Sequence, residues 1–183
     1  MPAQCSRRRP RAIWRVAVSV AFLALAAPSL ADFSGKVVDV ADGDTLTVLA
    51  GTRSVRIRLW GIDAPEHGQP WSRRARAALR DRALGRVADV AERGADRYGR
   101  TLARVSVEGG DLAEAQVREG HAWVYRFYTD DERLLDLERD ARSAGRGLWA
   151  SGKPEPPWRY RDRIPSGSEY GSSAGRGAVD APR

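Results

Sequence analysis

Residues 33–60 read FSGKVVDVADGDTLTVLAGTRSVRIRLW, and the fold is decided there. Phe33 to Val40 is rich in β-branched residues, Asp42-Gly43 is a turn signal, and Thr45 to Leu49 resumes the strand. Ala50-Gly51-Thr52 turns the chain again. Val55, Ile57 and Leu59 then alternate with Arg56, Arg58 and Trp60. A period of two sets the first three on a core and the arginines on the opposite face.

Downstream, the spacing predicts a helix over 70–84. Pro70 suits a first turn, Trp71, Ala75, Ala78 and Leu79 recur at helical spacing, and Gly85 can close the end. Two short strands follow, 86–93 and 101–107, joined by a loop holding Tyr98-Gly99-Arg100. A short helix fits 111–119, ended by Gly120, and 122–128 reads as aromatic and extended. The last clear helix covers 130–144, with Thr129 and Glu132 at the spacing of a capping box and Gly145 as its stop. Strands, helix, strands, helix, strand and helix make an α+β domain, and short strands with tight turns suit a small closed barrel.

The ends of the chain read differently. Residues 1–31 carry Arg7, Arg8, Arg9, Arg11 and Arg15 with no acid, then the apolar run VAVSVAFLALAA (16–27) and Ser29-Leu30-Ala31. That is the pattern of a secretory signal cleaved before Asp32, and the run is shorter than the ~20 apolar residues of a membrane span. The expectation is export to the periplasm or the medium, with no stable membrane association afterwards. The folded domain is then 32–150. Residues 151–183 form a Pro-, Gly- and Ser-rich tail, expected to be largely disordered. Trp158 and Tyr160, beside Arg159 and Arg161, read as a packed extension or part of that tail rather than as a basic aromatic patch.

Charge and cysteine bound the chemistry. The whole chain has 31 basic and 24 acidic side chains, a net of +7. Removing five arginines and no acids with residues 1–31 leaves 26 basic against 24 acidic, a net of +2. Phosphate binding must therefore come from local placement rather than bulk charge. Cys5, the only cysteine, leaves with the signal, so disulfides, cysteine-ligated zinc and a cysteine nucleophile are excluded from the domain. Two histidines, His67 and His121, are too few for a three-histidine metal site.

The sharpest constellation is acidic. Asp42, Gly43, Asp44 and Thr45 occupy a strand–strand turn, and Gly61-Ile62-Asp63-Ala64-Pro65-Glu66 follows the arginine strand. Hard cations such as Ca²⁺ take carboxylate, carbonyl and water oxygens, and Asp44 and Asp63 could share one ion. Taken alone, each segment is more simply a hairpin turn or a loop. Arg58 and Arg100 change the balance. Guanidiniums hold phosphate oxygens bidentately and stabilise the charge that gathers on a phosphodiester under attack. Glu66 is the candidate to orient or deprotonate the attacking water.

These segments resemble the staphylococcal nuclease family. The matching residues are Asp42-Gly43-Asp44-Thr45, Ile57-Arg58-Leu59 through Glu66, Asp96-Arg97-Tyr98-Gly99-Arg100-Thr101-Leu102-Ala103, Val117-Arg118-Glu119-Gly120 and ARSAGRGLW (141–149). The resemblance spans about Gly35–Trp149. It implies a five-stranded OB-type β-barrel with about three helices. It also implies Ca²⁺-dependent hydrolysis of DNA and RNA to 3′-phosphate products, by a protein with no need of an oligomer. Carried onto this chain, Asp44 and Asp63 correspond to the calcium-binding carboxylates, Ala64 to a backbone-carbonyl ligand, and Asp42 to a carboxylate acting through water. Arg58, Glu66 and Arg100 correspond to the catalytic residues. Tyr98, Arg126 and Tyr128 are the candidate substrate contacts; Arg126 stands where the family pattern has a tyrosine, and the loop after Glu66 is short. The rival readings are a catalytically silent nucleic-acid or protein-binding module on the same barrel, and a nonenzymatic calcium-binding envelope protein. The complete arginine–glutamate–carboxylate set argues against the first, and Arg58 and Arg100 have no role in the second.

Overall fold

The computed structural model describes residues 32–163. The signal sequence expected at 1–31 and the tail beyond 163 lie outside the described residues. Strands β1 (Phe33–Val40), β2 (Thr45–Ala50) and β3 (Arg53–Leu59) form an antiparallel meander. β4 (Ile62–Asp63) and helix α1 (Ser72–Ala83) follow, then β5 (Val87–Ala95), β6 (Thr101–Val107) and β7 (Gly110–Asp111). Helix α2 (Leu112–Arg118), β8 (Trp123–Val124), helix α3 (Glu132–Ser143), a 3₁₀ turn (Gly147–Ser151) and helix α4 (Pro157–Arg163) complete the described chain.

The main sheet has the order β3-β2-β1-β5-β6-β7, and a parallel pairing of β3 with β6 closes it into a five-stranded barrel. Closure leaves β3 and β6 no free edge. The alternation read in β3 holds: Val55, Ile57 and Leu59 are buried, while Arg56 is exposed and Arg58 half-buried. They join Val37, Leu46, Val48, Val90 and Val105 in the barrel core, over which Leu79 of α1, Val117 of α2 and Leu134 of α3 pack. A second cluster, Trp123, Ala141, Leu148 and Trp149, sits between α3 and the 3₁₀ turn.

Gly120 and Gly147 show why the α2 exit needs glycine. Both have positive φ (71° and 60°), and a Cβ on either would lie 2.2 Å from a carbonyl oxygen of the facing segment.

Local differences from the sequence reading have identifiable causes. Helix α1 starts after Trp71, which adopts φ 73°, so Pro70 precedes the helix instead of opening it. Helix α3 is capped by Asp131, whose carboxylate accepts from the N–H groups of Arg133 and Leu134; Thr129 accepts from Asp131 N–H one step earlier. A charged cap is favoured at a helix N-terminus. Of the extended stretch expected at 122–128 only Trp123–Val124 pairs, with β4, before the chain turns at Tyr125–Tyr128.

The largest difference is a fourth helix. Part of the segment expected to be a largely disordered tail is ordered as α4. Pro157 is buried, and the Trp158 ring packs 5.7 Å from that of Tyr125 and against the second apolar cluster. Aromatic burial of this kind offsets the entropy of fixing the backbone. No helix among the described residues is long and apolar enough to cross a membrane.

Candidate active site

Barrel closure assembles the site. The antiparallel register sets Thr45 opposite Arg58, and the parallel register of β3 on β6 sets Arg58 opposite Leu102. The turn before β2 therefore delivers Asp42 and Asp44 beside Arg58, and the start of β6 delivers Arg100. The short β4–β8 ribbon pairs Asp63 with Trp123 and brings Tyr125 alongside. Asp42, Asp44, Arg58, Arg100 and Tyr125 line one groove of about 780 Å³, together with Glu66, Tyr98, Tyr128 and Arg161, and the buried Asp63 is joined to it through Arg58 and Arg161.

Arg58 is the hub. Its Nη1 donates to Asp44 Oδ1 at 2.6 Å and its Nη2 to Asp63 Oδ1 at 2.5 Å. Asp44 is further fixed by the Thr45 hydroxyl at 3.0 Å and by the Ala64 N–H, which donates to Oδ2 at 2.7 Å. Asp42 Oδ1 accepts the Asp44 N–H at 2.9 Å, forming the turn itself. Gly43 is required at this turn, because a Cβ there would lie 2.7 Å from the Cβ atoms of both Ala64 and Ala75. Arg100 is held by Asp96 through its Nε at 2.7 Å, and its Nη1 reaches the Thr45 hydroxyl at 3.4 Å. Its guanidinium also faces the Tyr98 ring at 5.6 Å.

The electrostatics divide the site. Burial pulls the Arg58 guanidinium down, but Asp44 and Asp63 more than reverse this, so it stays charged. Burial, and then the neighbouring Asp44 carboxylate, push Asp42 up to about 7. Burial also raises Asp63; Asp44 adds to this, and Arg161 and Arg58 oppose it only in part. At Asp96 burial is outweighed by hydrogen bonds from the Arg100 backbone and guanidinium and from the Tyr98 N–H, which hold it below the usual carboxylate range.

Asp42, Asp44 and Asp63 gather three carboxylates about the Arg58 guanidinium, and burial is the first cause of the raised values of Asp42 and Asp63. With an all-oxygen donor set, this fits a hard cation held by Asp44, Asp63 and the Ala64 carbonyl, with Asp42 behind. Among the described residues no three His, Cys, Asp or Glu side chains form a metal cage of their own. Backbone and water oxygens would have to complete the shell, as Ca²⁺ permits.

Residues 56–151 match the family model described as Staphylococcal nuclease homologue. The chain belongs to this family. The chain is 38% identical to a micrococcal nuclease of Shigella flexneri over 158 residues, covering 80% of this chain and 91% of that one. It is 40% identical to Protein ParB of Escherichia coli over 166 residues, 85% of this chain and 94% of the other. An uncharacterized endonuclease of Haemophilus influenzae is 35% identical over 163 residues, 87% and 92% of the two chains. The protein is thus a nuclease, a hydrolase of phosphodiester bonds on an OB-type barrel, and nucleic acid is its substrate class.

Of the residues singled out in the sequence of this nuclease, the structure gathers Asp42, Asp44, Arg58, Ala64, Glu66, Tyr98, Arg100 and Tyr128 along the groove, with Asp63 buried and bonded to Arg58 and Arg161. It does not bring Arg126 there. That guanidinium is turned to α3, where Nη2 donates to the buried Glu138 at 3.1 Å, because Glu138 also accepts the Val124 N–H and takes an ion pair from Arg142. Two groove residues escaped the sequence reading. Tyr125 was one position away from a named candidate, and its N–H donates to the Gly61 carbonyl at 2.9 Å. Arg161, 98 positions beyond Asp63, lies in a segment read as a packed extension or a tail, with no local pattern to place its guanidinium at the site.

Proposed function

We propose that this nuclease is a Ca²⁺-dependent phosphodiesterase acting on DNA and RNA and releasing 3′-phosphate ends. The observation that carries the proposal is the Arg58 fork across Asp44 and Asp63, in a groove that Glu66 and Arg100 also face. Arg58 and Arg100 bind the scissile phosphate and stay ionised while charge builds on its equatorial oxygens. Their hydrogen bonds to Asp44, Asp63 and Asp96 hold both guanidiniums in place before substrate arrives, so little reorganisation is needed during reaction. Glu66 orients a water and accepts its proton. The new bond forms from that water oxygen to phosphorus, the bond from phosphorus to the 5′ oxygen breaks, and that oxygen leaves with a proton drawn from solvent. Bound calcium would supply further positive charge opposite the phosphoryl oxygens and lower the cost of deprotonating the water. Tyr98, Tyr125 and Tyr128 give the groove an aromatic wall on which unpaired bases stack.

The basic, apolar and small-residue pattern of residues 1–31 supports export, and a monomer suffices for the site. End-group analysis tests the chemistry. Digestion of single-stranded DNA and of RNA in calcium should give ends that become extendable only after phosphatase treatment; 3′-hydroxyl ends would reject the proposed bond cleavage. Asp44→Asn should shift the calcium titration to higher concentration, and an unaltered titration would remove Asp44 from the ligand set.

A further inference from the structure

Glu66 stands on a loop, yet it is held at both ends, and both holds lead to the same distant segment. Its N–H donates to Gln69 Oε1 at 2.8 Å, and the buried Gln69 passes its Nε2–H on to the carbonyl of Glu155 at 2.8 Å. Its carboxylate accepts from Arg161 Nη1 at 2.5 Å. The Arg161 guanidinium also forks onto Asp63, with Nη1 at 3.2 Å from Oδ1 and Nη2 at 2.9 Å from Oδ2. The segment carrying Glu155 and Arg161 is anchored independently by buried Pro157 and by Trp158 against Tyr125. Arg163 pairs with Glu155 at 2.7 Å and stiffens it further.

We infer that Arg161 is a positioning residue for Glu66, and that α4 with its lead-in is a working part of the catalytic centre. A loop glutamate left to itself samples many rotamers, and a misplacement of about 1 Å can cost about a hundredfold in rate. One guanidinium bridging Asp63 and Glu66 fixes their separation and lets two like charges share a small space. Gln69 performs the matching task on the backbone. The inference rests on the assignment of Glu66 as the water-orienting group.

The test compares Arg161→Gln, Arg161→Lys, Glu66→Gln and the double variant Arg161→Gln/Glu66→Gln in the full chain, on single-stranded DNA in calcium. Arg161→Gln should lower kcat roughly tenfold or more with KM held within about threefold, and Arg161→Lys should recover part of the loss. In the Glu66→Gln background, Arg161→Gln should cost less than about twofold, because the two act as a unit. Thermal unfolding midpoints of the same four proteins should be non-additive, a readout independent of turnover. Trp158→Ala, which loosens α4 without touching either carboxylate, should lower kcat in the same direction. Unchanged kcat in Arg161→Gln, a raised KM with kcat kept, or an undiminished effect in the Glu66→Gln background would overturn the inference. Full turnover in Glu66→Gln alone would overturn the assignment of Glu66 and the inference with it.

Discussion

Arg58 spans two carboxylates that are almost wholly withdrawn from water, Asp44 at 2% exposure and Asp63 at 0%. The fork gives each buried carboxylate a charged hydrogen-bond partner, and at Asp63 it opposes part of the upward pull of burial. The planar group matters as much as the charge, since a lysine ammonium cannot reach both acids in this geometry. Arg58→Lys should therefore fail to restore the activity lost in Arg58→Gln. Each should lower kcat/KM at least about a hundredfold, the typical loss when one fixed donor to a transition-state oxyanion is removed; steady-state kinetics at saturating calcium checks this. At this scale the site was largely legible. Asp-Gly-Asp marks a turn whose carboxylates cannot spread, and strict alternation in β3 fixes the face of Arg58. Arg126 leaves the groove because it lies in the turn at Tyr125–Tyr128 rather than in the extended stretch expected there. The buried Glu138 that draws it away is invisible as such in a helix otherwise rich in exposed charges.

The elements explain why the acidic turn is held so closely. Gln116 of α2 donates through Nε2 to the Gly43 carbonyl at 2.7 Å and to the Ala75 carbonyl of α1 at 3.0 Å, tying both helices to the turn. Gly43→Ala should cost about 1–3 kcal/mol in a denaturant titration, through overpacking against Ala64 and Ala75. It should also weaken calcium activation by displacing Asp44.

A second tie joins the Trp71 turn to the α2 exit, where Trp71 Nε1–H donates to His121 Nδ1 at 3.0 Å. That nitrogen accepts only when the ring is neutral. Burial lowers the His121 pKa, with Glu119 opposing and Arg82 adding to the effect. The unfolded chain therefore binds the proton more readily. Stability is present above the ordinary histidine value of about 6.5 and is lost as pH falls through the lower folded value. Asp42, raised to about 7 by burial and by Asp44, acts in the opposite sense over the same range. The His121 contribution is therefore read as the difference in unfolding midpoint between wild type and His121→Asn, which should shrink as pH falls from about 7.5 to about 5.

The existence of β1–β3, β5, β6 and α1–α3 and the core face of β3 followed from periodicity and turn residues, whereas the sheet order and α4 did not. The exact caps did not, because Thr129 and Asp131 offer competing oxygens two residues apart. The choice depends on tertiary neighbours such as Arg104, which pairs with Asp131.

Across the whole molecule, the substrate field is local. With a net of about +2 from Asp32 onward, attraction to a polyanion depends on guanidiniums aimed into one groove rather than on total charge. Arg58→Gln and Arg100→Gln should each reduce the slope of log Kd against log salt for single-stranded DNA by about 0.7, one phosphate contact. Arg139→Gln, on an exposed arginine paired with Asp136, should leave it unchanged. What the sequence could not show is the contribution of the segment after Trp149. Its composition is that of a linker, and only the packing of Trp158 and the reach of Arg161 across 98 positions reveal its place beside the groove. The most direct test of the account is the rate of single-stranded DNA cleavage by the wild-type chain and Glu66→Gln, side by side in calcium and in chelator. The account predicts rapid cleavage by the wild type in calcium only, and at least about tenfold slower cleavage by a fully folded Glu66→Gln. Equal rates with and without calcium, or equal rates for the two proteins, would contradict it.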